Sequence, residues 1–356
     1  MDFKKCILLV ILVLFLFSCS YRQQKIPSVP VKRAFYYWKT TLKLSGQDID
    51  YLGSLKINRL YVRIFDIVLD AESKRVIPDN KLLVSKNSAS FGEIVPVIFI
   101  TQEALKAMKP EELDDFSKKI IVELKAYENE FRVKNYPEVQ IDCDWTGGTK
   151  ERYFSFLKYL KVQLGKYDPK IVLSVTLRLH QLKYYEKTGV PPVERTGLML
   201  YNLHSPVKYN ESNSIIDTVG TKEYLKSRKP YLLKTDIILP VYSWAVQYNS
   251  KKEFVRLYPE EDLEQLLGNK NLKEYSKDRF RATDNFNIGR KTVWKNDIIK
   301  IDRCEFSDSL KLTELIKGKL IIDSDTVVSL FHYDNETIRR FSDGKPEKIK
   351  ELYNNF

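Results

Sequence analysis

Carboxylates, guanidinium groups and aromatic rings follow several short apolar runs of this sequence. The fourth run ends in Asp142-Cys143-Asp144-Trp145, and the sixth leads into Tyr201-Asn202. Carboxylates beside aromatic rings suit a sugar ligand, because they can bind hydroxyl groups and perform the acid and base steps of glycoside cleavage. Asp142 and Asp144 lie two positions apart, so on a strand they share one face. Such proximity is expected to raise the pKa of one carboxyl, as a general acid requires.

We predict a catalytic set and a larger ligand-binding set at the strand ends. Asp144 is the central carboxylate, with Asp142 or Asp334 as its partner. The predicted ligand-binding side chains are Trp38, Arg63, Asp66, Trp145, Arg178, Tyr201, Asn202, His204, Tyr242, Trp244 and His332. The same residues allow a structural interpretation, in which the aspartates pair with Arg63 or Arg178, the histidines are hydrogen-bonded supports, and the aromatic rings belong to the core or rim.

Eight apolar runs alternate with segments of helical spacing, and these elements must position the candidates. The predicted strands span residues 34–38, 59–68, 94–100, 139–144, 170–178, 197–202, 236–244 and 326–333. Near-continuous apolar strands separated by helices favour a parallel sheet covered on both faces. Eight such units predict an α/β fold, a closed (β/α)8 TIM barrel, whose chemistry sits at the carboxyl ends of the strands. Residues 247–325 interrupt the alternation, so we predict an insertion there between strands 7 and 8.

Four segments resemble motifs of the chitinase-like glycoside hydrolases and occur in the same order. Residues 141–145 resemble the fourth-strand signature of alternating aspartates, 199–204 the sixth strand, 239–242 the seventh, and 331–334 the last strand with its floor aromatic. The resemblance implies that Asp144 orients an acetamido group of the substrate, that Tyr201 hydrogen-bonds this group, and that Asp142 supports Asp144.

Two positions depart from that family pattern. Thr146 occupies the place of the catalytic glutamate, and Asn202 that of a sixth-strand aspartate. Threonine cannot protonate a glycosidic oxygen at a useful rate. Three alternatives follow: another carboxylate acts as the acid, the chain binds a glycan without cleaving it, or it is a related barrel with different chemistry. A structural envelope lipoprotein without a ligand is a further hypothesis.

The first residues have the pattern of an export signal. Lys4 and Lys5 precede an apolar run over residues 6–17, and Ser18-Cys19-Ser20 follows. Residues 16–19 resemble a bacterial lipobox, which implies lipidation of Cys19. We therefore predict a signal peptide over 1–18, a lipidated Cys and tether over 19–32, and the barrel over 33–356. The predicted location is the bacterial cell envelope, at the outer membrane or cell surface in a Gram-negative organism.

Composition argues against several classes of partner. The formal net charge is +12, but the 59 basic and 47 acidic residues are mixed along the chain without a nucleic-acid motif, so no nucleic-acid partner is predicted. No glycine-rich nucleotide motif or Cys/His zinc spacing occurs, and we predict neither cofactor nor metal. The predicted partners are a glycan or oligosaccharide and, through the N-terminal lipid, a membrane. Cys143 and Cys304 could form a disulfide or remain free thiols.

Overall fold

The computed structural model describes residues 29–226 and 231–356, and a closed barrel of eight parallel strands dominates it. Each strand pairs in parallel with the next one along the chain, and the first pairs with both the second and the eighth. This closure confirms the predicted (β/α)8 TIM barrel. The barrel strands are β1 (Lys32–Tyr37), β2 (Arg59–Leu69), β3 (Glu93–Ile100), β4 (Glu138–Asp142), β5 (Val172–Arg178), β6 (Arg195–Met199), β7 (Lys234–Pro240) and β8 (Val327–Phe331).

Helices cover the outside of the barrel. In the long third helix, Ile120, Leu124, Tyr127 and Phe131 recur every three or four positions and are buried, which is the spacing of one apolar helix face. The helices are α1 (Gly46–Ser54), α2 (Gln102–Ala107), α3 (Leu113–Phe131), α4 (Lys150–Tyr167), α5 (Leu179–Lys183), α6 (Tyr185–Thr188), α7 (Thr218–Leu225), α8 (Leu263–Leu267), α9 (Phe306–Ile316), α10 (Asn335–Phe341) and α11 (Pro346–Asn354), with 3-10 turns at Pro110–Glu112 and Glu260–Asp262.

A second sheet lies between β7 and β8. It has five antiparallel strands, and its spatial order is Phe254–Tyr258, Ser243–Tyr248, Ile298–Arg303, Arg279–Ala282 and Leu272–Ser276. Three smaller pairings complete the strands: Phe286–Ile288 with Lys291–Val293, Thr41–Leu42 with Leu83–Val84, and Val76–Asp79 with the end of β2.

The boundaries of the insertion differ from the predicted 247–325. The inserted sheet begins at Ser243, because the chain passes from β7 into the sheet with only Val241 and Tyr242 between them. At the other end, α9 belongs to the barrel, since Leu312 and Ile316 are buried in the barrel core. The inserted lobe therefore spans about residues 243–305.

Polar side chains fill part of the barrel interior. Tyr36 donates to Gln140 at 2.6 Å, Gln140 to Ser174 at 3.2 Å, and Ser174 to Glu138 at 2.5 Å. Arg59 completes the chain with a 3.2 Å contact to Glu138. Because the polar side chains of this network are paired with one another, their burial carries no unsatisfied hydrogen-bond cost at these contacts.

The remaining predictions concern the N-terminal segment, the two cysteines of the barrel and metal binding. The signal peptide, Cys19 and the tether up to residue 28 lie outside the described residues. Within the described part of the chain, no helix is long and apolar enough to span a membrane. Cys143 and Cys304 are both free, buried thiols. Over residues 29–226 and 231–356, no group of three or more His, Cys, Asp or Glu side chains is arranged to hold a metal.

Candidate functional site

The carboxyl end of β4 brings two aspartates to the upper end of the barrel, where the strands finish. Asp142 is the last residue of β4, and its carboxylate accepts a 2.6 Å hydrogen bond from Thr176 of β5. Asp144 accepts two hydrogen bonds from Arg178, from Nε at 2.6 Å and from Nη2 at 2.8 Å. A bidentate contact of this kind fixes both the orientation and the charge of a carboxylate.

Burial and charge make the two aspartates chemically different. Burial, and after it the negative charge of Asp144, raises the pKa of Asp142 to about 6, against the opposing effect of the Thr176 hydrogen bond. Burial alone would lower the pKa of Arg178, but the hydrogen bonds and charge of Asp144 outweigh it and keep the guanidinium protonated. Asp142 is therefore the group that exchanges a proton near neutral pH, while Asp144 is held in an ion pair.

Aromatic rings form a floor beside these carboxylates. The ring of Phe331, at the end of β8, has its centroid 5.4 Å from Trp38, 5.4 Å from Tyr201 and 5.7 Å from Tyr242. We call these four residues the aromatic floor. Tyr201 lines a small cavity together with Arg178, the partner of Asp144. After burial and the neighbouring Tyr242, the charge of Asp142 also raises the pKa of Tyr201. The floor and the aspartates thus belong to one site.

Phe331 is the member of the floor that the predicted residue set omits. As the last residue of an apolar run, it is indistinguishable from a core residue by its type alone. The signal that could have identified it was its place in 331–334, the segment that resembles a last strand with a floor aromatic. Thr176, the donor to Asp142, is likewise absent from the predicted set, because its role depends on pairing between β4 and β5.

Arg63 and Asp66 form a second ion pair next to the floor. Arg63 Nη1 lies 3.1 Å and 3.0 Å from the two carboxylate oxygens of Asp66, and its guanidinium carbon lies 5.8 Å from the Trp38 ring centroid. Burial raises the pKa of Asp66, against the hydrogen bond from Asn80 and the charge of Arg63. The charge of Asp66 also raises the pKa of Asp142, so the two pairs share one electrostatic environment.

Asn202 and Trp244, two further residues of the predicted ligand-binding set, both contact Tyr242 of the aromatic floor. Tyr242 donates to Asn202 Oδ1 at 2.8 Å, which orients the amide. Trp244 has its ring centroid 5.5 Å from Tyr242, and its Nε1 donates to Ser214 at 3.1 Å. Trp244 therefore stands where the barrel meets the inserted lobe.

Trp145 does not reach the site. Its side chain has 0% exposure, stacks on Tyr153 at 5.2 Å between centroids, and donates to the Thr188 carbonyl at 3.0 Å. β4 ends at Asp142, and in the residues that follow Cys143 and Trp145 are buried whereas Asp144, like Asp142, is partly exposed. Trp145 is therefore a core residue and not, as predicted, one of the ligand-binding residues.

Asp334 and His204 are occupied by local structural contacts. Asp334 caps α10 by accepting from the backbone N–H groups of Glu336 and Thr337, and it is ion-paired with Lys39. Burial would raise the pKa of Asp334, but these contacts lower it overall, so the group stays ionised. His204 lies between Asp217 at 2.8 Å and Glu211 at 3.3 Å.

His332 follows Phe331 and is neutral at physiological pH. Burial lowers its pKa to about 4, against the opposing charge of Asp334. Its Nδ1 is buried and has no hydrogen-bond partner within the described part of the chain. A neutral imidazole in this position can donate or accept one hydrogen bond, but it carries no charge for a substrate.

Thr146 contributes no acid to the site. It is exposed, and its backbone N–H donates to Thr149 Oγ1 at 2.9 Å in the turn that precedes α4. The position that would need a carboxyl in a chitinase-like enzyme therefore starts a helix turn. Of the predicted catalytic residues, only Asp142 and Asp144 remain beside the aromatic floor.

In sequence, the chain matches no family model and no curated protein. In fold, it is similar to a chitinase from Chromobacterium violaceum, with a TM-score of 0.51, 11% identity and coverage of 88% of this chain and 98% of that one. It is also similar to the spore cortex-lytic enzyme SleL of Bacillus cereus, with a TM-score of 0.51 and 14% identity. That match covers 92% of this chain and 75% of SleL. A class V chitinase from Nicotiana tobaccum in complex with NAG4 has a TM-score of 0.50 and 9% identity, and the match covers 92% of this chain and 99% of that one. The similarity shows that this chain shares the barrel fold of these proteins.

Proposed function

We propose that this chain binds an N-acetylglucosamine-containing glycan at the upper end of the barrel and does not cleave it. The observation that carries the proposal is a carboxylate fixed by Arg178 beside an aromatic floor, in a barrel that has Thr146 at the acid position. A similar barrel is known with NAG4 bound, which supports this ligand class.

The site offers complementary contacts for a pyranose ring with an acetamido group. Aromatic side chains supply large contact area at low entropic cost, and Trp38 and Phe331 are only partly buried. The ion pair of Asp144 and Arg178 presents both acceptors and donors for the amide and hydroxyl groups. A cavity of about 40 Å³ beside Arg178 and Tyr201 is the size of one small substituent, such as an acetamido methyl group.

Several features favour binding over cleavage. Glycoside cleavage by paired carboxyls needs one protonated acid and one free carboxylate across the scissile bond. Asp144 is held by a charged guanidinium, and Asp334 is paired with Lys39 and caps a helix. Neither group is arranged to deliver a proton.

Hydrolysis with Asp142 as the acid is the second candidate. The pKa of Asp142, raised to about 6, leaves a substantial protonated fraction at mildly acidic pH. Asp144 would then be the partner carboxylate. This candidate requires that a glycosidic oxygen reach Asp142, whose carboxylate already accepts from Thr176.

Titration calorimetry with a chitin tetrasaccharide tests binding. We expect Trp38→Ala and Phe331→Ala each to weaken binding roughly thirtyfold, as truncation of an aromatic anchor costs about 2 kcal/mol. Trp294→Ala is the matched control, because Trp294 is 59% exposed on the inserted lobe and has no contact with the floor. Equal affinities of all four proteins, or no binding of the wild type, would remove the glycan proposal.

We further infer that the chain is held at the bacterial envelope by a lipid on Cys19. The basic start, the apolar run over 6–17 and the Ser-Cys-Ser sequence support this location. The glycan would then belong to the envelope or to material that reaches it.

A further inference from the structure

Two exposed aliphatic side chains lie at the lower end of the barrel, where the strands begin. Leu232 is 71% exposed in the segment that enters β7, and Ile321 is 73% exposed in the segment that enters β8. Both are among the most exposed large apolar residues of the described chain. Single exposed apolar residues are common on protein surfaces, so the significance depends on what surrounds them.

The two side chains belong to neighbouring loops. β7 and β8 are paired strands, and an ion pair between Lys234 and Asp323 joins the two entering segments. Each partner of that ion pair lies two positions after one of the aliphatic residues. We call Leu232 and Ile321 the apolar rim.

The described chain enters the barrel next to the apolar rim. Lys32, the first residue of β1, pairs with Asp325 at 2.6 Å, and Asp325 also pairs with Arg195 at 3.0 Å. The loop that carries Ile321 is thereby fixed to the point where the N-terminal segment arrives. Thirteen positions separate Cys19 from Lys32, a span of at most about 45 Å.

The lower end also carries exposed lysines without ion-pair partners. Lys56, Lys134 and Lys170 lie in segments that enter β2, β4 and β5, are exposed, and form no ion pair with any residue in 29–226 or 231–356. Of the acidic residues at the same end, Glu93 and Glu194 are ion-paired with Arg59 and Lys161, whereas Asp168 has no ion pair within the described residues. Lysines near a membrane surface are attracted to anionic lipid headgroups.

We propose that the lower end of the barrel docks on an anionic lipid bilayer, with the apolar rim entering the headgroup region and the glycan site facing away. Aliphatic side chains that enter the interface, surrounded by lysines, are the combination that holds proteins on such surfaces. The inference goes beyond glycan binding and rests on the proposed anchor only for bringing the chain to the membrane.

Hydrogen exchange of the full-length chain on vesicles tests the docking. On phosphatidylglycerol-containing vesicles, amides of residues 231–235 and 318–326 should exchange about tenfold more slowly than on phosphatidylcholine vesicles, given the area that the rim removes from water. Leu232→Ser with Ile321→Ser should abolish this protection while the chain still floats with the vesicles. Val219→Ser is the matched control, since Val219 is 73% exposed in the first turn of α7 at the opposite end.

Three results would overturn the proposal. A chain that floats but shows equal exchange on both kinds of vesicle does not dock through this surface. Protection that depends on protein concentration and not on lipid charge assigns the apolar rim to a second copy of the chain. A chain that fails to float excludes both the docking and the anchor. Calorimetric affinity for the glycan is independent of all three results.

Discussion

Replacing Asp142 by Asn should make the folded protein more stable than the wild type at neutral pH. The folded state raises the pKa of this carboxyl from 3.8 to about 6, chiefly by burial and then by the charge of Asp144. Between those two pH values the folded chain keeps a proton that the unfolded chain releases. Stability therefore falls as the pH rises through this range, and the loss is complete above pH 6.

The size of the effect follows from the two pKa values. The difference between 3.8 and about 6 corresponds to about 3 kcal/mol. Asparagine keeps an oxygen that can accept from Thr176, but it has no charge to bury. For a chain of this length, 3 kcal/mol should raise the melting temperature by about 4 °C at pH 7.5. At pH 4.5 the gain should shrink to about 1 kcal/mol, because most of the carboxyl is protonated in the folded wild type.

Thermal and urea unfolding at pH 4.5 and 7.5 provide the assay. Asp50→Asn is the control, since Asp50 is exposed in α1 and the substitution removes a charge without changing a buried site. An Asp142→Asn variant that is no more stable than wild type at pH 7.5 would refute the reasoning. So would a gain of equal size at both pH values.

Three other outcomes follow from the same contacts. Asp144→Asn should lower the pKa of Asp142, measured by carbon NMR of the carboxyl group, because it removes the negative charge that raises this pKa most. An unchanged or higher pKa would contradict the electrostatic account. Trp145→Ala should lower the free energy of unfolding by about 3–5 kcal/mol in urea unfolding, because Trp145 is fully buried. Trp38→Ala should lower it clearly less, and equal losses would contradict the different placement of the two rings. Cys19→Ala should abolish lipid attachment, and mass spectrometry of the wild-type N-terminus should find Cys19 first and acylated; an unmodified thiol or a retained signal segment would exclude the anchor.

The order of the barrel strands could be predicted because each is a short apolar run between helical segments. Their carboxyl ends could be predicted to within a few residues, and this was sufficient to select Asp142, Asp144, Arg178 and Tyr201. The pairing of Arg178 with Asp144 was one of two alternatives, because the choice between Arg63 and Arg178 depends on which strand is adjacent.

Other features required the three-dimensional arrangement. The continuation from β7 into Ser243 has no polar break, so the inserted lobe could not be delimited from composition. Asp334 resembles a strand-end carboxylate in sequence, but it precedes a helix, and an Asp in that position commonly acts as an N-cap. Its partner Lys39 comes from the opposite end of the sequence, which no local pattern reveals.

Recovery of a chitin tetrasaccharide after equilibrium dialysis against the full-length protein tests the central claim most directly. At pH 5.5 and 7.5 we predict that the protein retains the oligosaccharide and that mass spectrometry finds it intact, with retention reduced by the roughly thirtyfold weaker binding of Phe331→Ala. Shorter products that appear with the wild type and disappear with Asp142→Asn would contradict this account and assign Asp142 as the acid of a hydrolase.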